Sequence, residues 1–247
     1  MAAPHSRVQA IPRHVAVIMD GNGRWAERQG LARSEGHRAG VETVREITRA
    51  ARELGVGWLT LYAFSSENWN RPKEEVDVLM ALPEAYFETE LAEAMAHDVR
   101  IRAIGRRDRL PPNARAAMDE AVETTRENRG MQLVLALSYG GRDEIVDAAR
   151  SLVREAESGT LHPAEVDEKT FAAHLHDPEL PDVDLLIRTG SEQRISNFLL
   201  WQAAYAELHF SDLMWPEFGR KDLEEAIRVF QRRERRFGKT SAQVQPS

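Results

Sequence analysis

Four short apolar runs in the sequence are each followed at once by a cluster rich in Gly, Arg, Asn, Ser and Trp. The clusters are DGNGRW at 20–25, SSENWNR at 65–71, YGGR at 139–142 and RTGSEQRISN at 188–197. Guanidinium groups hold phosphate oxygens bidentately, and glycine lets backbone N–H groups approach an anion closely. The clusters therefore predict a site for phosphorylated compounds, provided that the fold brings them together.

The first cluster places a carboxylate beside a predicted phosphate-binding turn. Gly21 and Gly23 can adopt positive φ angles, and Arg24 supplies positive charge. Asp20 would repel a diphosphate unless a cation lay between them, which makes this carboxylate a candidate Mg²⁺ ligand. Glu207, in the segment AYAELHF, is the candidate for a second metal ligand.

The last cluster predicts a second anion site. Arg188, Arg194 and Ser196 supply two guanidinium groups and a hydroxyl around a glycine-bearing loop. Two anion sites in one chain of this size indicate two phosphorylated substrates. Trp25 and Trp69 lie in polar segments beside these candidate ligands, where a large flat side chain could wall a hydrophobic substrate.

These clusters need a framework that places them at one edge of a sheet. Apolar runs predict strands at 14–19, 58–64, 99–104, 131–137 and 183–187, separated by segments of helical length, and helical patterning covers 41–54, 74–96 and 221–236. Alternation of strands with helices predicts an α/β fold with a mainly parallel sheet, whose ligands bind beyond the carboxyl ends of the strands. Residues 157–181 read as a surface excursion that carries one short helix near 169–175.

Composition narrows the class of protein. The 247 residues are 42% hydrophobic and 30% charged, as in an ordinary globular domain, and the net charge of -7 argues against a nucleic-acid binder. The absence of cysteine excludes disulfides and cysteine nucleophiles. Arginine outnumbers lysine 29 to 4, which genome composition explains at most positions, so only the arginines inside the clusters are informative. No apolar export signal or membrane-spanning run is visible, and we expect a cytoplasmic protein.

Several other motifs are incomplete. The sequence GKT at 238–240 lacks the first glycine of a P-loop, and no G-x-S-x-G, H-E-x-x-H or D-D-x-x-D motif occurs. The segment 21–26 does fit G-x-G-x-x-A, which leaves a Rossmann-like, NAD-dependent oxidoreductase as an alternative. Glu42 and Glu46, the acids at about the required distance, fall inside a predicted helix instead of at a strand end.

The sequence resembles the cis-prenyltransferases over nearly its whole length. The matching segments are HVAVIMDGNGRWA at 14–26, the Arg33-x-x-Gly36-His37 step, LTLYAFSSENWNRP at 59–72, YGGR at 139–142, DLLIRTGSEQRISNFLLWQ at 184–202 and YAELHFSDLMWP at 205–216. These motifs are long, ordered and mutually spaced. The resemblance implies one catalytic domain over 14–239, with flexible segments at 1–13 and 240–247. It also implies a single-domain α/β fold, in which helices flank a central, mostly parallel β-sheet and a hydrophobic tunnel holds the growing isoprenoid.

The resemblance also implies a reaction and a set of site residues. The enzyme would condense isopentenyl diphosphate units onto an allylic diphosphate, with farnesyl diphosphate as the expected primer. The expected product is a long-chain Z-polyprenyl diphosphate, undecaprenyl diphosphate, which is the lipid carrier precursor for cell-wall polysaccharide. Asp20 and Asn68 would be catalytic, and Asp20 and Glu207 would hold Mg²⁺. The substrate-binding residues would be Gly21, Asn22, Gly23, Arg24, Trp25, Arg33 and His37 for the allylic diphosphate, Ser65, Ser66, Glu67, Trp69 and Arg71 on the intervening loop, and Arg188, Arg194, Ile195 and Ser196 for isopentenyl diphosphate.

Partners and product length follow from the same resemblance. A homodimer is implied, in which Arg236 and Gly238 reach the partner's site, together with a peripheral membrane contact for product release and no nucleic acid. A non-catalytic partner subunit is another alternative, although the presence of two complete anion sites and a candidate metal-binding carboxylate argues against it. Ala63 is small and leaves room for a long product, while Met131 is expected near the tunnel floor. Asn68 is a poor base, so we expect it to orient the substrate by hydrogen bonds.

Overall fold

The central sheet of the protein is entirely parallel. The computed structural model describes residues 10–233, and within them six strands form one sheet in the order β3-β4-β2-β1-β5-β6. The strands are β1 (His14–Ile18), β2 (Trp58–Ser65), β3 (Arg100–Ile104), β4 (Gln132–Tyr139), β5 (Leu185–Arg188) and β6 (Glu207–Phe210). The prediction of an α/β domain with a mainly parallel sheet is therefore confirmed.

Helices connect and cover these strands. They are α1 (Asn22–Arg28), α2 (Arg33–Glu53), α3 (Lys73–Ala96), α4 (Pro112–Thr124), α5 (Gly141–Glu157), α6 (Glu168–Ala172) and α7 (Arg220–Arg232). The structure confirms the predicted helix at 74–96 and the short helix within 157–181. Helix α2 begins eight residues before the predicted start at 41, so it includes the Arg33 and His37 step. The carboxyl-terminal end of the predicted helix at 221–236, Arg236, Gly238 and the segment 240–247 lie outside the described residues, as does most of 1–13.

Burial on both faces explains why four of the five predicted strands, β1, β2, β4 and β5, read as apolar runs, whereas the edge strand β3 alternates apolar residues with arginine. β1 and β4 are buried at every position, because parallel strands are covered by helices on both sides and read as continuous apolar runs. β6 was missed. Its sequence ELHF is half-exposed at the edge of the sheet, so no unbroken apolar run marks it.

A buried histidine fixes the amino end of β1. The Nδ1 of His14 lies 2.8 Å from the carbonyl oxygen of Pro181, which can only accept, so this nitrogen carries the proton. Its Nε2 therefore accepts from the Thr60 hydroxyl at 2.7 Å. Burial lowers the pKa of His14 from 6.5 to about 4, against the smaller opposing effects of the Pro181 carbonyl and Asp184. The neutral ring joins β1 to β2 and to the segment before β5.

The strand register brings the predicted clusters to one edge. Ile18 pairs with Tyr62 of β2 and with Arg188 of β5, and Tyr62 pairs with Ala136 of β4. The residues that follow these positions therefore emerge side by side, as expected for the ligand-binding edge of a parallel sheet. Within residues 10–233, no helix combines the length and apolar character needed to cross a membrane.

Candidate active site

A cavity of about 620 Å³ opens at the carboxyl ends of β1, β2, β4 and β5. Of the 19 residues expected in the site, 14 line this cavity. They are Asp20, Gly21, Asn22, Gly23, Arg24, Arg33, His37, Ser65, Glu67, Asn68, Arg71, Arg188, Arg194 and Ser196. The fold thus brings together residues that lie as far apart in the sequence as 20 and 196.

Asp20 and Arg188 form the centre of the polar end. Arg188 is only 4% exposed, and its Nη2 donates to Asp20 Oδ2 at 2.9 Å. Its Nη1 donates to the Ser196 hydroxyl at 2.7 Å and to the carbonyl oxygen of Arg194. Arg24 pairs with the other oxygen of Asp20, with Nη2 at 3.0 Å from Oδ1. The two sites predicted from separate clusters therefore share one carboxylate.

This arrangement keeps Asp20 ionised. Partial burial raises the pKa of Asp20, but the hydrogen bond from Arg188 and the charges of Arg24 and Arg188 outweigh that effect and hold the pKa below its usual value. The carboxylate is consequently charged throughout the physiological pH range.

Two glycines allow the backbone and the arginines to pack closely here. Gly21 has a φ of 106°, a conformation that L side chains rarely adopt, and a Cβ there would lie 2.6 Å from Met214 Sδ. A Cβ on Gly23 would lie 2.4 Å from Cζ of Arg33. The glycines of the first cluster therefore serve a tight turn and a close guanidinium contact.

Glu75 organises two arginines and a histidine on the other side of the cavity. Its Oε1 accepts from Arg71 Nη1 at 2.9 Å and lies 3.1 Å from His37 Nε2, and its Oε2 lies 3.4 Å from Nε of Arg33. Burial raises the pKa of Glu75, but the bond to His37 and the charges of Arg71 and Arg33 lower it overall. Sequence reasoning missed Glu75. Its position four residues after Arg71 at the start of a predicted helix was the available signal.

The segment between β2 and α3 is a short 3₁₀ helix, Ser66–Asn70, held by its own side chains. Ser65 N donates to Asn68 Oδ1 at 3.0 Å, and Glu67 N donates to Ser65 Oγ at 3.2 Å. Asn197 Nδ2 donates to Glu67 Oε1 at 2.9 Å and so ties this segment to the loop after β5. Asn197 lines the cavity and was not among the predicted binding residues, although it lies within the last cluster.

Five expected site residues do not line the cavity: Trp25, Ser66, Trp69, Ile195 and Glu207. The ring of Trp69 packs edge-on against Phe64 at 4.9 Å, and its Nε1 donates to the Ser138 hydroxyl at 2.9 Å. Ile195 packs against the core cluster on the other face of the sheet. The expectation that Trp25 and Trp69 wall the substrate is therefore not met in this structure.

Glu207 lies at the opposite end of the sheet from Asp20. It pairs in register with Leu185, which pairs with Val15 near the amino end of β1, whereas Asp20 follows the carboxyl end. Five residues of strand correspond to about 16 Å. The Glu207 carboxylate instead contacts Arg233 Nη1 at 2.6 Å. The expected pair of metal ligands is thus not formed within one chain, because Glu207 begins an edge strand and does not end one.

The deeper part of the cavity is apolar. Its walls come from α2, β2, α3 and β4, and comprise Val41, Val44, Leu61, Ala63, Leu79, Leu82, Pro83, Tyr86, Leu135 and Leu137. Ala63 is in this wall, as its small size suggested. Met131 is buried but does not line the cavity. A polar mouth that leads to an apolar tunnel suits a molecule with a charged head and a hydrocarbon tail.

The mouth of the cavity is rich in arginine, in a chain that is acidic as a whole. Among residues 10–233, five arginines line the cavity, Arg24, Arg33, Arg71, Arg188 and Arg194, together with the acids Asp20 and Glu67. The complete chain has 33 Lys and Arg against 40 Asp and Glu. Guanidinium groups, which can bind phosphate oxygens bidentately, are therefore concentrated where four strands end.

Comparisons with known proteins agree with this geometry. Residues 18–238 match a family model described as "Putative undecaprenyl diphosphate synthase". The chain is 52% identical over 234 residues to an isoprenyl transferase from Geobacter sulfurreducens, which covers 95% of each protein.

Two solved structures are also similar. Lavandulyl diphosphate synthase from Lavandula x intermedia, in complex with dimethylallyl diphosphate, superposes with a TM-score of 0.91 at 40% identity, over 93% of this chain and 99% of that one. A "probable undecaprenyl diphosphate synthase" from Campylobacter jejuni superposes with a TM-score of 0.77 at 35% identity, over 93% and 100% of the two chains.

Proposed function

Since the chain belongs to the undecaprenyl diphosphate synthase family of prenyltransferases, we propose that it condenses isopentenyl diphosphate with an allylic diphosphate primer, farnesyl diphosphate. The product is a long-chain Z-polyprenyl diphosphate, undecaprenyl diphosphate, which serves as a carrier lipid precursor for cell-wall polysaccharide. The observation that carries the proposal is the five-arginine mouth on an apolar tunnel. The similar lavandulyl diphosphate synthase structure, which holds dimethylallyl diphosphate, supports an allylic substrate.

The two diphosphates take different parts of the mouth. Arg24, Arg33 and His37 lie on α1 and α2, next to the tunnel walls, and suit the primer whose tail enters the tunnel. Arg188 and Ser196, already joined by a hydrogen bond, suit the diphosphate of isopentenyl diphosphate. Asp20 lies between the two sets, since it contacts both Arg24 and Arg188.

Asp20 fits a magnesium site of the kind that relies on the substrate. Mg²⁺ is commonly bound by one or two carboxylates together with substrate phosphates and water. Asp20 is ionised, lines the cavity and lies between the two anion sets, while the described residues contain no group of three metal-binding side chains. We propose that Asp20 holds Mg²⁺ with the diphosphates. The ion would neutralise charge on the departing diphosphate.

The chain's own residues then account for orientation and charge. The allylic C–O bond breaks, its carbon joins the isopentenyl double bond, and one proton is lost to form the new Z alkene. Arg24 stabilises the negative charge that develops on the leaving diphosphate. Asn68 Oδ1 accepts from the Ser65 backbone, so the group that Asn68 offers a substrate is its Nδ2 donor. This arrangement supports an orienting role, with diphosphate or water as the proton acceptor.

Assembly and membrane contact belong to the same proposal. β6 is an edge strand with Leu208 exposed on it and Tyr205 exposed beside it, which suits a homodimer contact along this edge. The long polyprenyl product is insoluble in water, so its release calls for a peripheral encounter with a membrane.

The activity test is an elongation assay. The purified chain is incubated with farnesyl diphosphate, labelled isopentenyl diphosphate and Mg²⁺, and the extracted products are sized. A Mg²⁺-dependent ladder that ends in a long Z-polyprenyl diphosphate supports the proposal. A folded chain that elongates no allylic primer overturns it and favours a non-catalytic partner subunit.

A further inference from the structure

Tyr86 of α3 stands between two cavities. Among the residues that the structure describes, it is the one side chain that lines both the main cavity of about 620 Å³ and a second cavity of about 30 Å³. The residue is only 7% exposed, and its ring packs edge-on against Phe87 at 5.6 Å. The aromatic ring is therefore a fixed partition between the two spaces.

The two cavities lie one behind the other along β4. Alternate residues of a strand share a face and are spaced by about 6.6 Å, so Leu137, Leu135 and Leu133 form a row that runs away from the arginines. Leu137 and Leu135 line the main cavity, whereas Leu133 lines the second. The second cavity is thus the continuation of the tunnel beyond Tyr86.

In the deeper part of the main cavity the walls are apolar up to the Tyr86 ring, and beyond the ring they include polar groups. Beyond Tyr86 the walls include Thr48 and the ion pairs Arg45–Glu90, at 2.7 Å, and Arg49–Glu93, at 3.3 Å. The buried hydroxyl of Thr48 lies near the Tyr86 hydroxyl. A hydrocarbon tail that passed the ring would exclude water from these polar groups, which is unfavourable. The ring and the polar lining therefore oppose passage together.

We propose that Tyr86 determines the length of the product by closing the deep end of the tunnel. This inference rests on the proposed function. New units join at the diphosphate end, which stays at the arginines, so each addition pushes the far end of the chain deeper. Elongation stops when that end meets the Tyr86 ring and the next unit cannot be accommodated.

Replacement of the ring tests the proposal. Tyr86→Ala joins the two cavities, and we expect products longer by at least one isoprene unit, with at least a fivefold larger fraction above the wild-type limit. Tyr86→Phe keeps the ring and should keep the wild-type length. Leu133→Phe in the Tyr86→Ala background refills the space beyond and should restore the wild-type limit. Products are sized by mass spectrometry at equal conversion.

Phe87→Ala is the matched control, because Phe87 is buried beside Tyr86 and lines neither cavity. It should not lengthen the product. If Tyr86→Ala does not fold, Tyr86→Leu gives the same readout with a smaller loss of packing. Wild-type elongation with unchanged product length in Tyr86→Ala or, where that variant does not fold, in Tyr86→Leu overturns the role of Tyr86 and leaves the proposed function intact. Equal lengthening by Phe87→Ala also overturns it, and a wild-type chain that elongates nothing overturns both proposals.

Discussion

Arg188→Lys keeps the positive charge at position 188 but removes the planar guanidinium group and its several N–H donors. Arg188 spans three acceptors with two nitrogens: Asp20 Oδ2, the Ser196 hydroxyl and the Arg194 carbonyl. A lysine ammonium is a single point charge on a flexible stem and cannot reach all three in one position. We expect the lysine to keep the contact with Asp20 and to lose the other two.

The geometry sets the size of the effect. A hydrogen bond to a charged group contributes about 1.5–3 kcal/mol, so the lower figure for two lost bonds gives about 3 kcal/mol. Each 1.36 kcal/mol corresponds to about a tenfold change, which predicts roughly a 100-fold lower kcat/KM. Because we propose that Arg188 and Ser196 bind isopentenyl diphosphate, we expect the loss mainly as a higher KM for isopentenyl diphosphate.

The change in KM and kcat/KM is measured from initial elongation rates at varied concentrations of isopentenyl diphosphate. Urea unfolding of the same protein shows whether the variant keeps its stability. Arg142→Lys is the matched control, since Arg142 is exposed near the same rim and does not line the cavity. That variant should stay within about twofold of wild type. An Arg188→Lys protein with wild-type stability and a kcat/KM within about threefold of wild type would refute the role of the Arg188 guanidinium group.

Three further outcomes are expected. Glu75→Gln removes the negative charge that holds the Arg33, His37 and Arg71 side chains. Loss of one charge-assisted hydrogen bond should lower kcat/KM about tenfold. The control is Glu74→Gln, a change at an exposed neighbouring residue, which should match wild type. Asp20→Asn should lower kcat roughly 100-fold, and EDTA should abolish activity until Mg²⁺ is restored; activity retained in EDTA contradicts the metal proposal. His14 has a pKa of about 4 in the folded protein and an ordinary pKa of 6.5 in the unfolded chain. As pH falls from 6.5 to 4, only the unfolded chain gains a proton at His14. The free energy of unfolding therefore decreases by about 3 kcal/mol over that range. Urea unfolding across this range should show that wild type loses about 3 kcal/mol more than His14→Asn; parallel curves would contradict it.

The sequence determined the framework and most of the site. Strands buried on both faces must be apolar at nearly every position, so β1, β2, β4 and β5 appear as nearly continuous apolar runs. The parallel arrangement follows from the helical segments between the strands. The clusters that follow those runs must then meet at one edge of the sheet. This is why 14 of the 19 expected residues line one cavity.

Only the tertiary structure decided which side chains face the cavity. Trp69 and Glu207 lie in promising segments, but the ring of the first packs against Phe64 and the second starts an edge strand at the far end of the sheet. Glu75 and Tyr86 carry no motif, because their importance comes from partners distant in the sequence: His37 for one, and the cavity wall formed with Leu135 for the other. Local patterning specifies an element and its buried face. The distance between two side chains on different elements depends on how those elements pack, and the local pattern of a single sequence does not specify that distance.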